Sequence, residues 1–399
     1  IDFILSGRDH SNNDSVIIVE LKQWETAEKT PMDAIVKTFI NKGIKEVSHP
    51  SYQAWSYAAL LRDFNSYIQD EEVHLHPCAY LHNCNERLDL ENQSYEEHIE
   101  KAPLFFRSDA LKLTDFIKKN VRYGDSDGLT YKIDNGKIQP SKNLADSLSS
   151  MLQGNREFLM IDDQKLVYEK AIELAKKSSA KNKNVLVVEG GPGSGKSVVA
   201  VNLLVEFTNM GLTSQYVTKN AAPRSVYEKK LTGSFKKSHI SNLFVGSGRF
   251  TSTESNTFDT LVVDEAHRLN EKSGLYGNQG ENQIKELLSS SIFSVFFIDE
   301  DQKVTFKDIG SKDEIKSWAS ESNIEIHELD LTSQFRCNGS DGYLAWLDNA
   351  LQIKETANDF ISDLNYDFQV FDSIENMKDK IFELNEVKNS ARLVAGYCW

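Results

Sequence analysis

The sequence predicts an α/β protein: a parallel sheet with helices on both faces in its C-terminal two thirds, preceded by a smaller α/β domain. Three observations predict this. Strand-like and helix-like segments alternate from Leu144 to Leu329, the pattern of parallel strands joined by helical crossovers. A glycine-rich octet, Gly190 to Ser197, sits between an apolar strand and an apolar helix. A second apolar strand, Leu261-Val262-Val263, ends in two carboxylates, Asp264 and Glu265.

A chain of 399 residues is too long for one ordinary core, so two or three domains are expected. Its 40% hydrophobic and 26% charged residues suit a globular protein. No apolar run of about 18 residues is present, so no membrane span is expected. Four cysteines do not make a disulfide framework, and a cytoplasmic location fits. The net charge of −15 argues against nucleic-acid binding through bulk charge, although a local groove can still track a strand. The chain opens on Ile1 in a strand-like run and closes on Trp399 in another ordered-looking one, so it is expected to be a piece of a longer protein.

Taken in order, residues 1–5 and Val16–Lys22 read as a hairpin around the turn cluster Ser11–Asp14. Ser51–Arg62 has helical apolar spacing after His49-Pro50. Val73–Leu81 and Pro103–Phe106 read as strands, and Leu111–Val121 as a helix. Arg122–Lys142, rich in Gly, Asp, Ser and Asn, reads as a linker with a small hairpin at Leu129–Ile138. Helices follow at Leu144–Leu152, Asp163–Lys177 and Lys196–Met210. Strands follow at Asn184–Glu189, Ser214–Thr218, Thr260–Val263, Ser294–Ile298 and Glu325–Leu329. His74, His76, Cys78, His82 and Cys84 crowd together, but they lack a C-x-x-C knuckle and read as a core strand and its end rather than a zinc site.

Gly190-Gly191-Pro192-Gly193-Ser194-Gly195-Lys196-Ser197 matches the phosphate loop G-x-x-x-x-G-K-[ST] in full. Glycines let backbone amides wrap an anion at a helix N-terminus, where a Cβ would intrude. Lys196 is then expected to reach the β- and γ-phosphates of ATP, and Ser197 to ligate Mg²⁺. Asp264 at the strand tip is expected to hold the same ion through water, and Glu265 to polarise the attacking water.

Further motifs carry a family resemblance. Phe297-Ile298-Asp299-Glu300-Asp301-Gln302 resembles the third motif of superfamily 1 helicases, which implies that Gln302 senses the γ-phosphate. Leu331-Thr332-Ser333-Gln334-Phe335-Arg336 is similar to the fourth, implying a phosphate contact by the permanently charged fork of Arg336. Ile161-Asp162-Asp163-Gln164 resembles the glutamine motif, which implies that Gln164 binds adenine. Tyr216–Asn220 lies where a strand-contacting segment is expected. More closely, residues 140–399 resemble the Schlafen-like branch of these helicases, through Pro140-Ser141-Lys142, Met160–Lys165, Asn220–Arg224 and Gln334–Arg336. The later motifs, with their second arginine, would lie past Trp399, so this piece is expected to bind ATP yet turn it over poorly.

Asp2 and Glu20-Leu21-Lys22 resemble the core of PD-(D/E)xK nucleases, and Gln53-Ala54-Trp55-Ser56-Tyr57 the Q-x-x-x-Y helix of RecB-like ones. Period-2 alternation puts Glu20 and Lys22 on one face of the strand, and i,i+4 spacing puts Gln53 and Tyr57 on one face of the helix. Asp2 and Glu20 would hold Mg²⁺, which hard carboxylate oxygens suit, and Lys22 would orient the hydrolytic water.

The organisation expected is a restriction-endonuclease-like α/β domain at 1–121, a linker at 122–142, a first RecA-like ATPase domain at 143–338 and the start of a second at 339–399. The function expected is an ATP-driven nucleic-acid motor fused to a Mg-dependent nuclease, acting on DNA sooner than RNA, in defence against foreign DNA or in DNA processing. An oligomer or a protein partner is compatible with this. Two other readings stay open: a nucleotide-driven protein switch with an inert docking domain, and an RNA-directed Schlafen-like nuclease.

Overall fold

The structure is a computed structural model, and it describes residues 1–40, 42–136, 144–153, 155, 158–232, 234, 240, 242–274, 277–303, 305–332, 341–356, 367–387 and 391–394. The chain divides into two compact units, Ile1–Asn338 and Gly339–Trp399.

Unit 1 begins with a five-stranded mixed sheet. Its strands are β1 (Phe3–Arg8), β2 (Asp14–Lys22), β6 (His74–Leu81), β7 (Leu104–Phe106) and β8 (Tyr123–Gly124), in the order β7-β6-β2-β1-β8. β1 runs antiparallel to β2, with Phe3 opposite Val19, while β6 runs parallel to β2. The parallel step needs a crossover. It is supplied by a small antiparallel sheet, β3 (Ala27–Lys29), β4 (Ile35–Ile40) and β5 (Gly43–Ser48), and by helix α1 (Pro50–Phe64). α1 starts on His49, whose ring nitrogen accepts from the Ser51 N–H, with Pro50 at the first helical position. Alternation along β2 sorts the side chains. Val16 and Ile18 enter the core that also holds Ala58 of α1, and Ile17 and Val19 enter the one behind. Glu20 and Lys22 continue the α1-facing set.

Short helices α2 (Ser66–Asp70) and α3 (Glu96–Lys101) and the longer α4 (Ala110–Asn120) complete this part. The hairpin expected at Leu129–Ile138 does not form. Leu129–Asp134 is a helix, α5, because Asp125 Oδ1 accepts from the Asp127 and Leu129 N–H groups at its start. Leu129 and Ile133, one turn apart, are both buried against β2.

After α6 (Leu144–Leu152) and α7 (Asp163–Lys177) comes a six-stranded sheet of β9 (Asn184–Gly190), β10 (Ser214–Val217), β11 (Phe244–Val245), β12 (Phe258–Val263), β13 (Ser291–Ile298) and β14 (Glu325–Leu331). Every pairing is parallel, in the order β11-β10-β12-β13-β9-β14. Helices α8 (Lys196–Asn209), α9 (Ala221–Leu231), α10 (Gln283–Ser290) and α11 (Lys312–Glu321) accompany it. Leu186 and Val188 of β9 join one core with α7 and α8, while Val185 and Val187 join the opposite core with α10 and α11. Burial on both faces explains the apolar runs of β9, β12 and β13.

In unit 2 the described residues hold α12 (Asp341–Ala350) and α13 (Ile374–Val387), with the Trp346 ring against Tyr343 and Phe368. Among the described residues no helix is long and apolar enough to cross a membrane.

Candidate functional site

In an open parallel sheet, ligands gather beyond the carboxyl ends of the strands. Here β13 lies between β9 and β12, with Ile298 beside Glu189 and Phe296 beside Val263. The register therefore brings the Gly190–Ser197 loop, Asp264-Glu265 and Asp299 to one edge.

Gly195 stands at φ +88°, a backbone conformation that demands glycine, and a Cβ there would lie 2.2 Å from Gln164 Nε2, so any larger residue would also displace that side chain. Lys196 opens α8 and is buried; its Nζ donates to Gly190 O, to Gly191 O (2.9 Å) and to Asp299 Oδ2 (3.3 Å). Gln302 Nε2 reaches the same Asp299 Oδ2 at 2.8 Å. Ser197 Oγ donates to Asp264 Oδ2 at 2.8 Å, and Tyr216 Oη donates to that oxygen as well. Asp264 is almost fully buried. Burial and the neighbouring Glu265 charge push its acidity toward higher pKa, against the two hydroxyl donors.

Glu265 occupies the left-handed region at φ +55°. The Asp299 N–H donates to His267 Nδ1 (3.2 Å), which fixes the proton on Nε2. Nε2 lies 3.1 Å from Glu265 Oε2 and donates to it. That hydrogen bond, ahead of the opposing effect of burial, lowers the Glu265 pKa and keeps it an ionised acceptor. Gln164, expected to face a base, here donates from Nε2 to Ser194 O (2.9 Å), while its Oε1 accepts from the Ile161 N–H. Arg336 lies outside the described residues, as do Pro140–Lys142 and Gln334-Phe335. Lys219, in the segment expected to touch a strand, is engaged by Asn270 Oδ1 and Asp308 Oδ1, both at 2.9 Å.

A second constellation forms on the first sheet. The Leu21 N–H donates to Asp2 Oδ2 (2.8 Å), and Lys22 Nζ donates to Glu20 Oε1 (2.6 Å). Glu20 is only 2% exposed, and its Oε2 has no hydrogen-bond partner among the described residues. Burial raises its pKa to about 7, opposed by Lys22 and reinforced by Asp2. Across from it on α1, Gln53 Nε2 donates to Tyr57 Oη (3.0 Å). Both also donate to a residue given no role from the sequence: Asp162 Oδ2, at 3.2 and 3.1 Å.

The residues fit Mg²⁺ at the phosphate loop. A serine hydroxyl and a buried carboxylate converge there, and this ion uses few protein ligands beside phosphate and water. At the first sheet, the unpartnered Glu20 oxygen with Asp2 beside it also suits a hard cation. Among the described residues, however, no three His, Cys, Asp or Glu side chains gather to hold a metal, and this includes the His74–Cys84 run.

Sequence reading missed Tyr216, His267, Asp299 and Asp162. His267 carried a weak signal, standing two residues after Glu265. Tyr216 and Asp162 stood inside motif segments, but nothing there pointed to the contacts they make, since their partners are 48 and 105 residues away.

Comparison with known proteins places the chain. One relative is the uncharacterized protein YPL245W of Saccharomyces cerevisiae, 25% identical over an alignment of 255 residues that covers 55% of this chain. The chain spans 56% of that relative's length. Among solved structures, domain III of the Thermotoga maritima replication initiation protein DnaA aligns at 15% identity, over 62% of this chain and 92% of that one, with a TM-score of 0.25. AMPPCP-bound DnaA from Aquifex aeolicus aligns at 15%, over 60% and 65%, with 0.24. The Pyrococcus furiosus Hef helicase domain aligns at 14%, over 42% and 37%, with 0.24. Residues 183–399, more than half of the chain, match the family described as Schlafen group 3, DNA/RNA helicase domain. With a helicase-like P-loop domain built on the parallel sheet, the chain belongs to that Schlafen group 3 helicase family.

Proposed function

We propose that the chain is an ATP-hydrolysing nucleic-acid motor joined to a metal-dependent nuclease. One observation carries the motor: Ser197 Oγ lies 2.8 Å from Asp264 Oδ2, so the loop that would cradle phosphates and the strand tip that would hold their cation meet. Mg²⁺, when bound, neutralises charge on the β- and γ-phosphate oxygens. Lys196 would leave the Gly190 and Gly191 carbonyls for those oxygens. Gln302, resting on Asp299, would report the γ-phosphate. Glu265, kept ionised by His267, would orient the attacking water and take its proton as the bond to the leaving ADP breaks. Arg336 is the candidate second cation from the far side of the cleft.

In the N-terminal part, proposed to run over 1–121, Asp2 and Glu20 would hold Mg²⁺, and Lys22 would orient water against a phosphodiester. The buried, unpartnered Glu20 oxygen supports this. A cytoplasmic role in defence against foreign DNA, or in DNA processing, follows by analogy alone. The net charge of −15 favours one rival, a nucleotide-driven protein switch.

The test is one matrix: ATP turnover with and without single-stranded DNA, and cleavage of DNA and RNA, in wild type, Lys196→Ala and Glu20→Ala with Lys22→Ala. The first variant should lose ATP turnover and the second only cleavage. Undiminished turnover in the first removes the ATP site. Turnover indifferent to nucleic acid selects the switch.

A further inference from the structure

Three consecutive side chains, Asp162, Asp163 and Gln164, reach three separate places. Gln164 holds the phosphate loop through Ser194 O. Asp163 Oδ2 accepts from the Thr332 N–H and hydroxyl, just past β14. Asp162 points into the first-sheet constellation.

Asp162 is placed at a cost. Its φ of +43° is strained for a non-glycine residue. As the residue before α7 it would ordinarily cap that helix, yet its side chain makes no such bond. Its carboxylate instead takes the Gln53 amide and the Tyr57 hydroxyl, while the Lys22 charge acts on it from nearby. A third metal ligand does not explain this, because two donors aim at the same oxygen and no three acids converge among the described residues. The amide and the phenol that meet on this one monoanionic oxygen, with the Lys22 ammonium on the same face of the sheet, are, however, the kinds of donor a phosphodiester takes. Beside them, Glu20 Oε2 is buried without a partner, a second sign that the place is built to receive something.

We propose that Gln53, Tyr57 and Lys22 form a subsite for the phosphodiester of a nucleic-acid strand, with the Asp162 carboxylate as its internal stand-in, released from the phosphate loop through Gln164. The proposal rests on the nuclease reading of the N-terminal part. Nucleotide that draws Gln164 off Ser194 shifts the start of α7, withdraws Asp162, relieves its backbone strain and opens the subsite.

The test measures binding of a fluorescein-labelled single strand, as DNA and as RNA, to the full chain by anisotropy. Ca²⁺ replaces Mg²⁺ to prevent cleavage, and AMPPCP is present or absent. Asp162→Asn keeps the shape and both hydrogen bonds but removes the charge; Asp162→Ala removes the stand-in and serves as the second variant. Either should bind about tenfold tighter than wild type without nucleotide. AMPPCP should tighten wild type by a similar factor and the variants not at all. The DNA and RNA arms show which backbone the subsite takes. If both variants bind like wild type while Tyr57→Phe or Lys22→Ala weakens binding, the subsite exists and the stand-in is overturned. If Tyr57→Phe and Lys22→Ala change nothing in any background, the nuclease reading fails, and the proposal with it.

Discussion

His267 shows how one side chain ties two strand ends together. Its ring is 1% exposed, accepts from the backbone after β13 and donates to the carboxylate after β12. Because the backbone N–H of Asp299 can only donate, the tautomer is set, and Glu265 receives a fixed donor rather than a mobile one. The ring's own hydrogen bonds go to the Asp299 backbone and the Glu265 carboxylate rather than to the Gly190–Ser197 loop, so its loss should act more on turnover than on binding. His267→Ala is therefore expected to leave ATP affinity within about threefold while lowering kcat about tenfold or more. Steady-state turnover combined with equilibrium binding of AMPPCP separates the two, and an equal loss in both would show that His267 merely holds the site together. The phosphate loop and the Asp264-Glu265 tip were legible in the sequence because each is local: the spacing itself encodes the backbone that makes the chemistry. His267, Tyr216 and Asp162 act on partners that only the folded sheet brings near, and no local pattern records that.

At the scale of elements, α1 depends on an unusual cap. His49 accepts from the Ser51 N–H on Nδ1 and donates from Nε2 to Leu90 O (3.0 Å), with its ring against Tyr95. Both nitrogens are used by the neutral ring, and burial lowers its pKa to about 4. The unfolded chain takes up this proton near pH 6.5, and the folded one refuses it until about pH 4. The stabilisation is thus complete above pH 6.5 and is lost as pH falls to 4, by about 3 kcal/mol for the ~2.5-unit gap. His49→Asn keeps a capping side chain but abandons Leu90 O. It should cost about 2 kcal/mol at pH 7 and flatten the pH slope between 6.5 and 4. Urea unfolding at both pH values measures this, and an unchanged slope would mean another group carries the acid sensitivity. The sequence spoke unevenly at this scale. β9, β12 and β13 were plain because burial on both faces leaves uninterrupted apolar runs. The β3–β5 sheet was not, because Lys29, Lys37, Lys45 and Glu46 interrupt short strands that are only partly buried. α5 was mistaken for a hairpin because its turn-rich approach hid the Leu129/Ile133 pair.

For the whole molecule, the question is whether the first sheet and the parallel sheet unfold together. They lie in one compact unit, and a charged cluster joins them. Lys165 of α7 is 6% exposed; its Nζ donates to Asp33 Oδ2 (2.7 Å) from the β3–β4 connection and to Glu169 Oε1 (2.6 Å). His98 of α3 lies 3.0 Å from the other Asp33 oxygen, and Tyr52 of α1 donates to Met160 O. Burial would raise the Asp33 pKa, but the His98 bond and the Lys165 charge hold it well below the usual carboxylate range. Breaking a buried pair leaves a stranded charge at a cost of ~3–5 kcal/mol. Asp33 is 45% exposed, so water recovers part of it, and Lys165→Met should cost about 2 kcal/mol. Part of that cost falls on the junction through Asp33, and part on α7 itself, where Glu169 is left buried without its partner. Wild type is expected to melt residues 1–338 as one calorimetric transition, with Lys165→Met separating an earlier event in the first sheet from a later one in the parallel sheet. Two transitions already present in wild type would mean that the parts fold independently. The short connection from Asp162 to Gln164 would then lack the rigid frame it needs to carry a signal from the phosphate loop to Tyr57.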